Sequence, residues 1–231
     1  MKTNIGALSK SPLFQGISEK ELAALVKCAG CRFRKYKKNE LIYAAGEYAR
    51  EIGLVVSGTV ITFKDDAWGN SEAIEEIGDG GMFAESYVCG GMGVLPVSVV
   101  AAKDVEVMFF DFQRVITTCS SACVFHTMLI RNMVSLFARR NMTLAGKVEH
   151  VTKRTTKEKL LSYLSEQAKL YQSNVFEIPY DRQGLADYLS VERSALSAEM
   201  SKLKAEGAIN YRKNHFELLV GQKSKAQGDE L

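Results

Sequence analysis

Residues 181–209 read DRQGLADYLSVERSALSAEMSKLKAEGAI, and their spacing predicts two short helices joined by a three-residue turn. Asp181 can cap the first helix, RQGLADYLS, by accepting from its open backbone N–H groups. The turn falls on Ser190, Val191 and Glu192. The second helix, RSALSAEMSKLKAEG, ends at Gly207, a residue that tolerates the left-handed backbone of a C-cap. Leu185, Leu189, Leu196 and Leu203 recur where one apolar face requires them. Ala186 is small where two helices must cross closely.

Arg193, Ser194, Ser197, Ala198 and Ser201 lie on the outer face of the second helix. Short or hydrogen-bonding side chains let a helix enter the major groove of duplex DNA, and arginine can pair with guanine O6 and N7. Arg182 and Gln183, at the start of the first helix, stand where side chains and backbone N–H groups grip phosphate. Beyond Gly207, AINYRKNHFELL reads as two strands around Lys213–Asn214, with Lys213 as a further phosphate contact. On pattern alone, a groove-reading helix-turn-helix and a pair of helices packed only for stability both remain open.

Upstream, TKEKLLSYLSEQA is amphipathic, and FEIPY is held extended before Pro179. From Ser121 to His150 there is no proline and one glycine. Phe125, Leu129, Met133 and Leu136, then Leu144, Val148 and Val151, follow at steps that put them on one helical face. A helix of this length is roughly 45 Å long, more than a domain of this size can cover. The expectation is a coiled-coil seam with a second copy, carried by Phe125, Leu129, Met133 and Leu136. A helix broken near Gly146 is the alternative.

The N-terminal part has a different grammar. Ten of the 18 glycines lie between Gly46 and Gly93, as tight turns between short strands require. EIGLVVSGTVITF and PVSVVAAKDVEVMFFD are β-rich with partial alternation, as in strands facing a core on one side. DDAWGNSE supplies a hairpin turn, and a helix is expected from Ser18 to Cys28. Between Lys64 and Lys103 the chain has seven carboxylates and no lysine or arginine.

Composition excludes several classes. The 231 residues carry a net charge of +3, with −1 over residues 1–137 and +4 over 138–231, so a polyanion partner is directed to the C-terminal part. No signal peptide or membrane-length apolar run is present, and the chain reads as cytoplasmic. Five cysteines, an odd number, argue against a disulfide framework. Cys28 and Cys31 form a lone CxxC, read as small buried hydrophobes or as a redox pair. No Ser–His–Asp or metal-ligand set is visible, so neither an enzyme nor a cofactor is expected; Glu72, Glu75 and Glu76 read as a solvated acidic face.

The order of segments, with YAAGEYAREIGLVVSGTV, GDGGMFAES and the 181–209 stretch, resembles the Crp/Fnr family of transcription regulators along nearly the whole chain. The resemblance implies an α+β protein: a double-stranded β-helix (jelly-roll) domain over 1–120, a long dimerisation helix over 121–152, and a winged helix-turn-helix over 153–220. Residues 221–231 are expected to be a disordered tail. It also implies a homodimer on a two-fold symmetric operator, RNA polymerase as partner if it activates, and an effector pocket between β-roll and long helix. Glu85, Ser86, Pro96, Val97, Met133, Phe137, Leu144 and Ala145 are the expected pocket residues. Family members that bind cyclic AMP hold its ribose and phosphate with a glutamate and an arginine. Glu85 matches the glutamate, but the arginine position falls on Pro96. The adenine-holding threonine and serine fall on Leu144 and Ala145. Arg131, Arg139 or Arg140 is the alternative source of positive charge. The expected effector is therefore an unidentified small molecule other than a cyclic nucleotide, with a dimer permanently active without effector as the alternative. Redox or haem sensing through Cys28 and Cys31 or through His126 is the competing reading.

Overall fold

Ser18 accepts from the Glu21 N–H, and the Glu21 carboxylate accepts from the Ser18 N–H in return. This reciprocal cap starts the expected helix, α2 (Glu19–Cys28), behind a single turn, α1 (Ile5–Leu8). The computed structural model describes residues 5–117 and 124–219, which fall into two units, one up to Ala138 and one from Arg139. The tail from 221, Cys119 and Cys123 lie outside the described residues.

The first unit continues with β1 (Arg32–Tyr36), β2 (Leu41–Tyr43), β3 (Glu51–Ser57), β4 (Val60–Asp65), β5 (Ser71–Ile77), β6 (Met82–Phe83), α3 (Glu85–Cys89), β7 (Ser98–Ala101), β8 (Val105–Asp111), α4 (Phe112–Ile116) and the start of α5 (Val124–Val151). Two antiparallel four-stranded sheets form, in the orders β1-β8-β3-β6 and β2-β7-β4-β5. Val55, Val60, Phe83, Val99, Val107 and Phe109 fill the space between them. Tyr43, Phe83 and Phe109 meet edge to face there, with centroids 5.9–6.2 Å apart. This is the expected β-roll.

One expectation needs correcting. β3 and β8 do not face a core on one side only. Ile52, Leu54, Val56, Met108 and Phe110, on the opposite face from Val55 and Val107, lie under α1, α2, α4 and α5. Strands covered on both faces read as near-continuous apolar runs, which is why GLVV and VMFF break the alternation. The turn after β4 is as expected: Asp66 accepts from the Trp68 and Asn70 N–H groups, each at 2.9 Å.

Helix α5 is unbroken through Gly146, but the apolar stripe read as a seam is divided. Leu129 and Met133 are buried in the first unit's own core, with Phe125, Leu136 and Phe137 half-buried against it. Asn132 fixes that orientation by donating to the carbonyls of Leu13 (3.0 Å) and Gln15 (2.8 Å). Leu129 and Met133 are therefore not available to a second copy.

In the second unit, α6 (Thr156–Tyr171), β9 (Val175–Glu177), α7 (Arg182–Leu189), α8 (Arg193–Ala205), β10 (Ile209–Arg212) and β11 (His215–Leu218) follow the end of α5. The three strands pair antiparallel in the order β10-β11-β9, so FEIPY contributes a third strand to the expected hairpin. Leu160, Leu164, Phe176, Leu185, Leu196, Leu203 and Phe216 share one core. Beside it, buried His150 is held on both ring nitrogens, by Ser162 Oγ at 2.9 Å and Glu166 Oε2 at 2.8 Å. Glu166 reaches it across Gly146, where an added Cβ would lie 3.0 Å from Glu166 Oε1.

Gly58, between β3 and β4, has φ +98°, and an added Cβ would collide with the Asp104 carbonyl and lie 2.9 Å from Val105 Cα. Gly58→Ala is expected to destabilise the protein by about 2–4 kcal/mol in denaturant unfolding. Gly69→Ala, at φ +85° with open space around it, should cost about 1 kcal/mol. Equal losses for the two would mean that backbone strain, and not the collision, limits position 58.

Candidate nucleic-acid interface

Asp181 Oδ1 accepts from the Gly184 N–H at 2.7 Å, and this cap starts α7 where the sequence places it. The helix closes on Ser190, whose backbone is left-handed (φ 52°). Lys159, from α6, donates from Nζ to the carbonyls of Leu189 and Ser190, both at 3.3 Å. A cation on the last carbonyls of a helix satisfies acceptors that have no partner in the helix itself. Lys159 thus holds the turn between α7 and α8. It lies thirty residues upstream of that turn, and no local sequence signal points to it.

Leu185, Ala186 and Leu189 from α7 and Leu196, Met200 and Leu203 from α8 are buried. That leaves Arg193, Ser194, Ala195, Ala198, Ser201 and Lys202 exposed along α8, with Ser197 half-buried. The Ser201 hydroxyl donates back to the Ser197 carbonyl at 2.9 Å, so its lone pairs face outward. Arg193 is the one long side chain at the N-terminal end of this surface, and small groups follow it. At the hairpin tip Lys213 takes a left-handed backbone (φ 57°) and is exposed. Asn214 ties that tip to the strand beside it, donating to Glu177 Oε1 at 2.8 Å and the Ile178 carbonyl at 3.1 Å.

Two residues read as phosphate grips are otherwise engaged. Arg182 is half-buried, its guanidinium 5.0 Å from the Tyr211 ring centre and in contact with Met200 Sδ. Lys204 Nζ approaches the same ring at 5.2 Å. Arg182 joins α7 to β10 through a cation–π contact and touches α8 at Met200, a role the sequence reading did not assign to it. Gln183 is exposed and donates to Asp187 Oδ1 at 2.8 Å.

The expected effector residues are divided between the two units. Glu85 is buried at the first position of α3, behind Ala84 with φ 63°, and the Ser86 hydroxyl donates to Glu85 Oε1 at 3.4 Å. Pro96 is exposed and Val97 half-buried in the segment before β7. Phe137 is half-buried, and Met133 is buried in the first unit's core. Leu144 and Ala145 are exposed residues of the second unit. A cleft of about 340 Å³ lies elsewhere in the first unit, between Lys35, Lys37, Asp104 and Glu106, and contains none of these side chains.

Burial pushes the Cys31 thiol up to about 12 and the Cys89 thiol up to about 11, and a thiol held that high is a poor nucleophile. His126 is buried against Phe125, and its Nδ1 has no hydrogen-bond partner among the described residues. Among the described residues, no group of three His, Cys, Asp or Glu side chains could hold a metal ion, and no helix is long and apolar enough to cross a membrane.

Lys159→Met should cost roughly 1–2 kcal/mol in unfolding free energy by leaving two carbonyls without their charged donor. Differential scanning calorimetry would read this as a lower midpoint. An unchanged midpoint would show that water replaces the ammonium at no cost.

Residues 33–121 match the model of the cyclic nucleotide-binding domain, and residues 158–220 match the Crp-like helix-turn-helix domain. No curated protein matches the chain in sequence. Among solved structures, the catabolite activator protein of Thermus thermophilus is 22% identical, with 90% of this chain and 93% of that chain covered and a TM-score of 0.48. DNR from Pseudomonas aeruginosa is 19% identical, covering 94% of each chain with a TM-score of 0.46. FixK2 from Bradyrhizobium japonicum is also 19% identical, over 81% of this chain and 92% of its own, with a TM-score of 0.42. The assignment rests on the two domain models in this order, joined by the long helix and ending in the winged helix-turn-helix described above: the chain belongs to the Crp/Fnr family of DNA-binding transcription regulators.

Proposed function

We propose that the protein acts as a homodimer on a two-fold symmetric operator, with α8 in the major groove and the β10–β11 hairpin on the flanking backbone. The exposed face of α8, with Arg193 at its leading end and small residues behind it, carries this reading. Arginine there is placed for guanine O6 and N7, and Ala195 and Ala198 suit contact with thymine methyl groups. Lys213 supplies sequence-independent charge. If the regulator activates, RNA polymerase is its further partner.

The second half of the proposal concerns the effector, a small uncharged or weakly polar molecule and not a cyclic nucleotide. Residues 65–102 offer seven carboxylates and no basic side chain. Glu85 is the one of the seven that is buried, and Pro96 stands where the resemblance places the phosphate-binding arginine. A partly buried phosphate without an opposing charge loses its charge-assisted hydrogen bonds.

Arg193→Ala is expected to cost about 1–3 kcal/mol on the best site selected from random duplexes, and to relax preference at one base pair per half-site. Lys213→Ala should weaken binding to all sequences alike and reduce the salt slope by about one. If Arg193→Ala weakens every duplex equally, α8 does not read bases through that residue. Calorimetric titration with cyclic AMP or cyclic GMP should give no saturable heat at micromolar ligand, and a saturable response would overturn the effector proposal.

A further inference from the structure

Helix α5 carries a second stripe beside the one its own core consumes. Ile130, Val134, Phe137, Leu144, Val148 and Val151 fit alternating steps of four and three, and the one place left in the series is Asn141. Steps of four and three average 3.5 residues, the repeat of a two-stranded coiled coil. Val134, Asn141 and Val148 then occupy a positions, and Ile130, Phe137, Leu144 and Val151 occupy d positions.

Val134, Leu144 and Val148 are 61%, 56% and 57% exposed, while Ile130 and Phe137 are half-buried against the first unit's core. The stripe is therefore open at Val134, Leu144 and Val148 and half-open at Ile130, Phe137 and Val151, the first two joining the apolar packing of the first unit. Ala138 and Ala145, at the flanking e positions, are small enough to let a second helix approach. The occupant is a second copy of the same helix. A specific dimer needs roughly 600–1,000 Å² from each partner, and three heptads of paired helix give an area of that order. β-branched residues at a positions favour two parallel strands.

Resting on the homodimer proposed above, we infer that Asn141 lies at the centre of the seam, pairs with the same residue of the second copy and specifies its register. Asn141 is exposed in the single chain, so its amide contributes nothing to the chain's own core. In register, two amides meet across the two-fold axis and satisfy each other. A slip of one heptad, about 10 Å along the helix, sets each amide against a valine and leaves it buried and unpaired. The asparagine weakens the seam relative to valine and excludes the slipped pairings.

The test uses the full chain in sedimentation velocity and equilibrium runs. Asn141→Lys and Asn141→Glu should each weaken self-association by about tenfold or more, and an equimolar mixture should restore a two-chain species, because opposite charges then face each other at the same a layer. Asn141→Val should tighten the dimer by about tenfold. If the two charged variants dimerise like the parent, or if mixing restores nothing, position 141 does not face itself and the inference falls. Val148→Glu separates this outcome from failure of the dimer reading. If that variant splits the dimer while Asn141 variants are silent, only the role of Asn141 is lost. If Val148→Glu also leaves the dimer intact, the seam does not run along α5 and both are overturned.

Discussion

β3 and β8 lie side by side with neither face open to water, and the arrangement of the first unit depends on keeping them so. One face is closed by the second sheet. The other presents Ile52, Leu54, Val56, Met108 and Phe110, each worth about 1.5–3 kcal/mol when fully buried. Leaving that face open would cost about as much as a domain's whole margin of stability. Helices must cover it, and the start of α5 is one of them. Leu129 and Met133 turn inward for this reason, and any surface α5 offers to another molecule is displaced to its neighbouring stripe.

Much of the fold could be read from the chain because local signals agreed with the final packing. Ser18 with Glu21, Asp181 with Gly184 and the left-handed Gly207 mark helix ends through bonds made within a few residues. Periodicity also located α5. It could not say what covers which face, since Phe125, Leu129, Met133 and Leu136 satisfy the spacing of a seam and of a core helix equally. That choice is made by residues up to 119 positions away, such as Leu13 against Asn132.

On the candidate nucleic-acid surface the same division holds. The outward residues of α8 were legible because a helix has only one face left once Leu196, Met200 and Leu203 are buried. Arg182 has an engagement that was not legible, for the opposite reason. Its position at the start of α7 suits a phosphate grip, but Tyr211 and Met200 come to it from β10 and α8. Lys159 and Asn214 act across comparable distances in sequence. Among the expected effector residues, Glu85 is buried, but the chemistry that would meet it from a ligand is not written in its neighbours.

The small groups along α8 have a consequence for hydration. Ala195, Ala198 and the serines at 194, 197 and 201 fill little of a major groove about 12 Å wide and 8.5 Å deep. If α8 enters the groove as proposed, a helix so lightly furnished reaches few base edges directly beyond Arg193, and the intervening volume is open to the bridging water common at such interfaces. Bridging water transmits hydrogen-bond pattern almost as well as a side chain does. Discrimination among operators then has a solvent component, and its signature is an affinity that shifts with neutral osmolyte at constant salt, most strongly for the best sites.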